Sequence, residues 1–372
     1  YDVALDVRSA VAGGADAATF RSQTTIRFRC AEPGATSFAD LLAPSVGAVT
    51  LNGRALDPAE VFDGTRIALA DLAAENTLVV DAQCAYSRTG EGLHRFVDPE
   101  DGEVYLYTQY EPADSRRVFA NFEQPDLKAP FTFEVTAPEG WLVLSNGAQE
   151  GPAEAGRHRF ATTQPISTYI TAVVAGPYHY VTDTYRRAFQ DGSKLEIPLG
   201  ALCRKGLARH FDADDIFTVT KQGLDFFHDH FDFPYPFGKY DQAFVPEYNL
   251  GAMENPGCVT FREEFIFRGK VTEASYERRA NVILHELAHM WFGDLVTMHW
   301  WDDLWLKESY ADFMGSFAQV GATRFTDGWI TFANRRKSWA YRADQLPSTH
   351  PITADIGDLE DAKLNFDGIT YA

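Results

Sequence analysis

Hydrophobic and polar residues alternate along the first half of the chain. Ile26, Phe28 and Cys30 are separated by Thr25, Arg27 and Arg29, the period of two that a half-buried strand requires. Phe131, Phe133 and Val135 repeat it. Trp141 to Leu144 runs into Asn146-Gly147, whose tolerance of positive φ predicts a hairpin turn. A further β-rich run, Ser167 to Val174, stops at Gly176-Pro177. Strands divided by turn residues, with almost no helical period, predict an antiparallel β domain.

The period then lengthens. Ile216, Val219, Leu224, Phe227 and Phe231 share one face of a helix that Asp212 or Asp214 would cap and Pro234 and Pro236 would end. Tyr240 to Val245 reads as a strand. Between Tyr276 and Phe292 a second stripe is formed by Ala280, Ile283, Leu284, Leu287, Ala288 and Trp291, with Gly293 as its stop. A third helix is predicted from Leu304 to Val320, before Gly321. The predicted class is α+β: a β-rich N-terminal domain over residues 1–182 and a mixed domain over 183–372. Two domains also suit the 372-residue length, since single cores rarely grow past roughly 250–300 residues.

Composition narrows the partners. With 33 Lys+Arg against 53 Asp+Glu the net charge is −20. A nucleic-acid partner is disfavoured, because binding one needs a cationic surface that sheds phosphate counterions. An anionic membrane surface is disfavoured on the same ground. At 45% hydrophobic and 14% aromatic residues the chain can bury a large core. No charged-then-apolar leader opens it, and no apolar run approaches the ~18 residues of a membrane span. Cys30, Cys84, Cys203 and Cys258 are scattered, with no CxxC, so reduced thiols and a cytoplasmic location are expected; a Cys30–Cys84 bridge stays open.

The chemistry is concentrated in the second stripe. His285-Glu286-Leu287-Ala288-His289 sets two histidines four residues apart, one above the other on a helix, so both imidazoles can face one ion. Glu286 is offset from that line, which suits contact with a water on the metal rather than with the metal. A catalytic zinc takes three protein ligands and leaves one position open. Glu308, with eighteen residues between it and His289, is the candidate third ligand, early in the third helix.

At this point three separated motifs resemble one family. His285 to Asp294 reads HELAHMWFGD and is followed by DLWLKES, which contains Glu308. Gly251-Ala252-Met253-Glu254-Asn255 reads GAMEN. Thr108-Gln109-Tyr110-Glu111-Pro112, with Arg116-Arg117 and Pro125, resembles a TQxEPxxxRRxFPxxDxP segment. Together they resemble the gluzincin zinc aminopeptidases typified by aminopeptidase N, and most of all the actinobacterial type. The resemblance implies a thermolysin-like catalytic domain with one zinc ion per chain, held by His285, His289 and Glu308. It implies Glu286 as general base and Tyr371 as the hydroxyl that stabilises the tetrahedral intermediate. Glu254 would bind the free α-amine of a peptide, within a substrate site that includes Gly251, Ala252, Met253 and Asn255. Gln109 and Glu111 would be further contacts there, supplied by the N-terminal domain.

The sequence departs from the family at Lys307-Glu308-Ser309-Tyr310 and at Asp294, where Asn-Glu-Gly-Phe and Asn are frequent. Family members also continue past the tyrosine, so the chain is expected to be one part of a longer enzyme. Two rival functions are a zinc endopeptidase and a non-catalytic peptide-binding scaffold. Oligomeric state and side-chain preference stay open. Residues outside the motifs carry bland expectations. His228-Asp229-His230 reads as a solvated helix end, because residues two apart on a helix diverge. Asp212 to Asp215 reads as a solvated helix start. Asp312, four residues after Glu308, is either an exposed polar residue or an orienting partner for a ligand histidine. Lys307 either pairs with a site carboxylate or is solvated.

Overall fold

The first 178 residues of the computed structural model are built on long strands, as their alternation dictates; residues 1–13 and 17–372 are described. Contacts divide the chain into two units, Tyr1–Tyr178 and His179–Ala372. At the centre of the first unit, Thr19–Arg29 pairs antiparallel with Glu75–Ala85, Thr19 opposite Ala85 and Arg29 opposite Glu75. Phe20, Ser22, Thr24 and Ile26 are buried while Arg21 and Arg27 are exposed, so one face of the strand meets the core. Two Thr/Ser positions on that inner face show that polar side chains join the buried stripe. These strands belong to a seven-stranded sheet. A four-stranded sheet in the order Leu142–Ser145, Val173–Gly176, Val104–Gln109 and Gly92–Val97 lies in the same unit.

Three local expectations change. The sheet is not wholly antiparallel: Asp2–Asp6 pairs parallel with Thr132–Thr136, a pairing between segments too distant for any turn signal to reveal. Asn146-Gly147 is not a hairpin turn. Leu142–Ser145 pairs instead with Val173–Gly176, and Asn146 donates from Nδ2 to the Ile170 carbonyl at 2.9 Å and accepts from Ala172 N–H at 2.8 Å. The turn residue is thus a side-chain clamp on a distant segment. Within the run Ser167 to Val174, Thr168–Ile170 forms a 3₁₀ turn and the strand begins only at Val173.

The second unit carries a five-stranded mixed sheet in the order His179–Ala188, Lys194–Cys203, Tyr240–Val245, Cys258–Arg262, Ala252–Met253. The last of these is a two-residue edge strand, antiparallel to its neighbour. Three long helices accompany it: Ala213–Phe231, Glu273–His289 and Trp305–Ala322. The predicted apolar faces meet. Ile216, Val219, Leu224 and Phe227 share a buried cluster with Ile283, Leu284, Leu287 and Ala288. Gly321 lies inside the third helix instead of ending it. The α+β class and the β-rich-then-mixed order are those the periodicity predicts.

The acidic start of the first helix is not simply solvated. Asp212 makes no capping hydrogen bond; it and Asp215 accept from the guanidinium of buried Arg279 at 2.9 and 2.8 Å. His228 is also not solvated. It is buried, stacked on Tyr185, and accepts from Tyr235 N–H at 3.0 Å, so burial lowers its pKa to about 4. The four cysteines are free thiols, three of them buried. Among the described residues, no helix is long and apolar enough to cross a membrane.

Candidate metal centre

The second and third long helices bring the site together, and a glycine sets how close they come. A Cβ on Gly315 would lie 2.9 Å from the backbone nitrogen of His285 and 3.0 Å from its Cα. Only the bare backbone permits that approach. The contact holds the helix of His285, Glu286 and His289 against the helix of Glu308, at the level of the first histidine.

The result is a converging triangle. His285 Nε2 lies 3.0 Å from His289 Nε2. Glu308 Oε2 lies 3.5 Å from the first and 3.6 Å from the second. All three residues are buried, and all three ligand atoms lie within 4.8 Å of one another. Ligands held about 2.0–2.1 Å from a tetrahedral zinc stand roughly 3.3 Å apart, so these separations bracket the required value. Glu308 Oε2 is buried without a hydrogen-bond partner, aimed at the two ring nitrogens. A buried, orphaned carboxylate oxygen facing two imidazoles fits a cation between them.

The surrounding contacts fix which atoms face inward. His289 Nδ1 is 3.0 Å from the Phe292 carbonyl, which can only accept, so Nδ1 carries the hydrogen and Nε2 faces the centre. Gly293, at φ +139°, ends the turn that presents that carbonyl. His285 Nδ1 faces Asp312 Oδ1 at 3.7 Å. Asp312 is buried, not exposed, which removes the solvated reading of that residue. Glu308 Oε1 is held by Lys307 Nζ at 2.8 Å, and the same ammonium lies 2.6 Å from Glu254 Oε1. Lys307 is fully buried, so the solvated alternative for it is also removed.

Charge is distributed unevenly over this cluster. Burial alone would raise the Glu254 carboxyl, but Lys307 and His289 outweigh it and hold Glu254 below its usual range. Glu308 is likewise pushed up by burial and pulled further down by Lys307 and His289, to well below the usual carboxylate range. Glu286 goes the other way. Burial raises it strongly, against the pull of His289, and the carboxylates of Glu254 and Glu308 add to the rise. Ligand atoms of Glu254, Glu286 and His289 also lie within 4.8 Å of one another.

The remaining candidate residues fall as follows. Ala252 and Met253 of GAMEN form the edge strand, Gly251 is exposed before it, and Glu254 and Asn255 are buried after it. Asn255 turns back to the neighbouring strand, accepting at its carbonyl from Cys258 N–H at 3.0 Å. Tyr371 closes a helical turn, Gly368–Tyr371, capped by Asp367, and its ring is parallel to His285 at 6.1 Å between centroids. Gln109 and Glu111 are in the first unit, Gln109 buried at the end of Val104–Gln109 and Glu111 half-buried beyond it. Arg336, which grips Asp312, belongs to no motif, and its basic neighbours Arg335 and Lys337 give it no distinguishing signal.

Comparison with known proteins gives this arrangement its class. Residues 72–170 match the peptidase M1 N-terminal domain and residues 216–372 match the peptidase family M1 domain. The chain belongs to peptidase family M1. It is 58% identical to aminopeptidase N of Streptomyces lividans over 375 residues, which takes in 100% of this chain and 43% of that protein. It is 34% identical to probable aminopeptidase 2 of Sulfurisphaera tokodaii over 277 residues, 73% of this chain and 34% of the relative. With aminopeptidase N of Canis lupus familiaris the identity is 29% over 392 residues, 95% and 39% respectively. The chain therefore spans less than half the length of these curated relatives.

Proposed function

We propose that this protein is a zinc aminopeptidase that hydrolyses the N-terminal bond of peptides with a free α-amine. The observation that carries the reading is the buried triangle of His285 Nε2, His289 Nε2 and Glu308 Oε2, with Glu286 and Glu254 beside it. The aminopeptidase names of the M1 relatives support it. One zinc ion per chain, held by those three residues, would lower the pKa of a water in its open position to about 7.

The protein's own groups then divide the work. Glu286 takes a proton from the attacking water and returns it to the leaving amine; burial raises its carboxyl, which favours its holding that proton between the two steps. Glu254 stays ionised and receives the cationic α-amine, whose pKa of about 7.7–8.0 keeps it mostly protonated at pH 7. Lys307 occupies one oxygen of that carboxylate, so the amine meets a carboxylate already oriented. Anchoring the amine there sets the scissile bond one residue away, which makes the cut exopeptidic. Tyr371 supplies a hydroxyl toward the oxyanion. Free peptides are the partners, and a cytoplasmic setting is the companion reading, supported by the free thiols.

A panel of aminoacyl anilides, free and N-acetylated, with and without a chelator, tests this reading. Free substrates should be cleaved and acetylated ones refused, because acetylation puts a neutral amide where Glu254 would receive the cationic amine, while Lys307 still pairs with its other oxygen. Equal cleavage of both would make the protein an endopeptidase. Activity that survives complete zinc removal would end the metal assignment.

A further inference from the structure

Arg336 lies outside every motif, yet it touches two parts of the site. It sits in a π-helical turn, Phe332–Lys337, between the short helices Gly328–Thr331 and Ser338–Asp344. Such turns are rare and concentrate at functional positions. Its guanidinium forms a two-pronged pair with Asp312: Nε donates to Oδ2 at 2.9 Å and Nη2 donates to Oδ1. That same Oδ1 faces His285 Nδ1 at 3.7 Å. The guanidinium carbon also lies 5.5 Å from the ring centre of Tyr371 and 5.4 Å from that of Trp339. Tyr371 in turn lies parallel to the His285 ring, at 14°.

We propose that Arg336 is a positioning residue that fixes His285 through Asp312 and Tyr371 through its ring face, so that one side chain aligns ligand and oxyanion-side hydroxyl together. The proposal rests on the zinc aminopeptidase reading. The geometry argues for orientation beyond charge balance. A carboxylate held by two parallel N–H groups cannot rotate about its own axis, so its Oδ1 stays directed at His285. A planar guanidinium can at the same time lie against an aromatic face; a lysine ammonium offers a point charge and neither constraint. Partners of this kind set ring orientation and ligand basicity, and losing one costs about 10–100-fold in metal affinity or activity.

The test compares wild type, Arg336→Lys and Arg336→Met, alone and combined with Asp312→Asn or Tyr371→Phe. The readouts are zinc affinity by chelator competition, kcat and KM on a free aminoacyl anilide, and melting temperature. Arg336→Met should weaken zinc binding and lower kcat, each by about tenfold or more, with KM little changed. Arg336→Lys keeps the charge and should rescue the melting temperature but not kcat. In the Asp312→Asn background Arg336→Met should add little further loss of zinc affinity, and in the Tyr371→Phe background little further loss of kcat. Full rescue by Arg336→Lys would reduce Arg336 to a counterion and overturn the proposal. Unchanged zinc affinity and kcat in both single variants would overturn it too. If Arg336→Met does not fold, Arg336→Lys decides alone. A wild type that binds zinc and cleaves anilides while the variants behave normally sinks this inference only; a wild type that does neither sinks the aminopeptidase reading, and this with it.

Discussion

Both units bury glutamates, and they treat them in opposite ways. In the first unit Glu123 accepts from the Ser115 hydroxyl and Arg116 N–H, both at 2.7 Å, and burial still pushes its carboxyl up to about 7. In the second unit Glu308 and Glu254 are equally enclosed, yet Lys307 and His289 keep them ionised. Hydroxyl and amide donors at good distance do not offset desolvation of a full charge; an ammonium within 3 Å does. The first arrangement builds a fixed polar core. The second keeps anionic oxygens ready for a cation.

The sharpest break in this comparison comes from Glu286, which sits among the charged glutamates but behaves like Glu123. Glu286→Gln should retain zinc, because the ligands are intact, and lose turnover by about 10²–10⁴-fold, because the base is gone. Steady-state kinetics with zinc analysis of the same sample checks both halves, and retained turnover would remove Glu286 from the mechanism. Next in size is Lys307→Met, which strips the cation from Glu254 and Glu308. It should destabilise the second unit by about 3–5 kcal/mol in denaturant unfolding, as for a broken buried ion pair, and Glu254→Gln added to it should recover part of that loss.

The smallest effect belongs to Glu123. Its folded carboxyl is raised to about 7 from an ordinary 4.5, so its contribution to stability is full below about pH 4.5 and lost as pH rises through 7. Glu123→Gln should remove that dependence, leaving the variant more stable than wild type at pH 8 by about 3 kcal/mol at most, relative to their difference at pH 4.5. Urea midpoints at the two pH values measure it. Parallel curves for the two proteins would mean that the Glu123 carboxyl titrates alike in the folded and unfolded chain, with no shift from burial.

The sequence was most legible where short-range spacing fixes geometry. His285 and His289 share a face because they are four apart, and Asp312 follows Glu308 by the same interval. The long central strands announced themselves by alternation. Legibility failed where a partner is remote in the chain. Nothing near Lys307 tells that its ammonium meets Glu254, fifty-three residues earlier. The burial of Arg279 against Asp212 and Asp215, of His228 under Tyr185, and the clamp made by Asn146 are likewise tertiary facts written over local preferences. Arg336 belongs to no motif for the same reason: its partner Asp312 lies twenty-four residues earlier in the chain.

Gly315 has a consequence for how such a centre tolerates change. The third ligand is not measured out by the eighteen residues after His289; it is measured by two backbones touching at Gly315 and His285. The connecting stretch runs past exposed Leu295 and Val296 before the third helix begins at Trp305. Length there is free to drift, as long as the carbonyl at Phe292 and the helix register are kept. Register is not free, since one residue inserted between Glu308 and Gly315 would swing Glu308 about 100° around the helix axis relative to that contact. The centre is therefore written in helix phase rather than in chain distance.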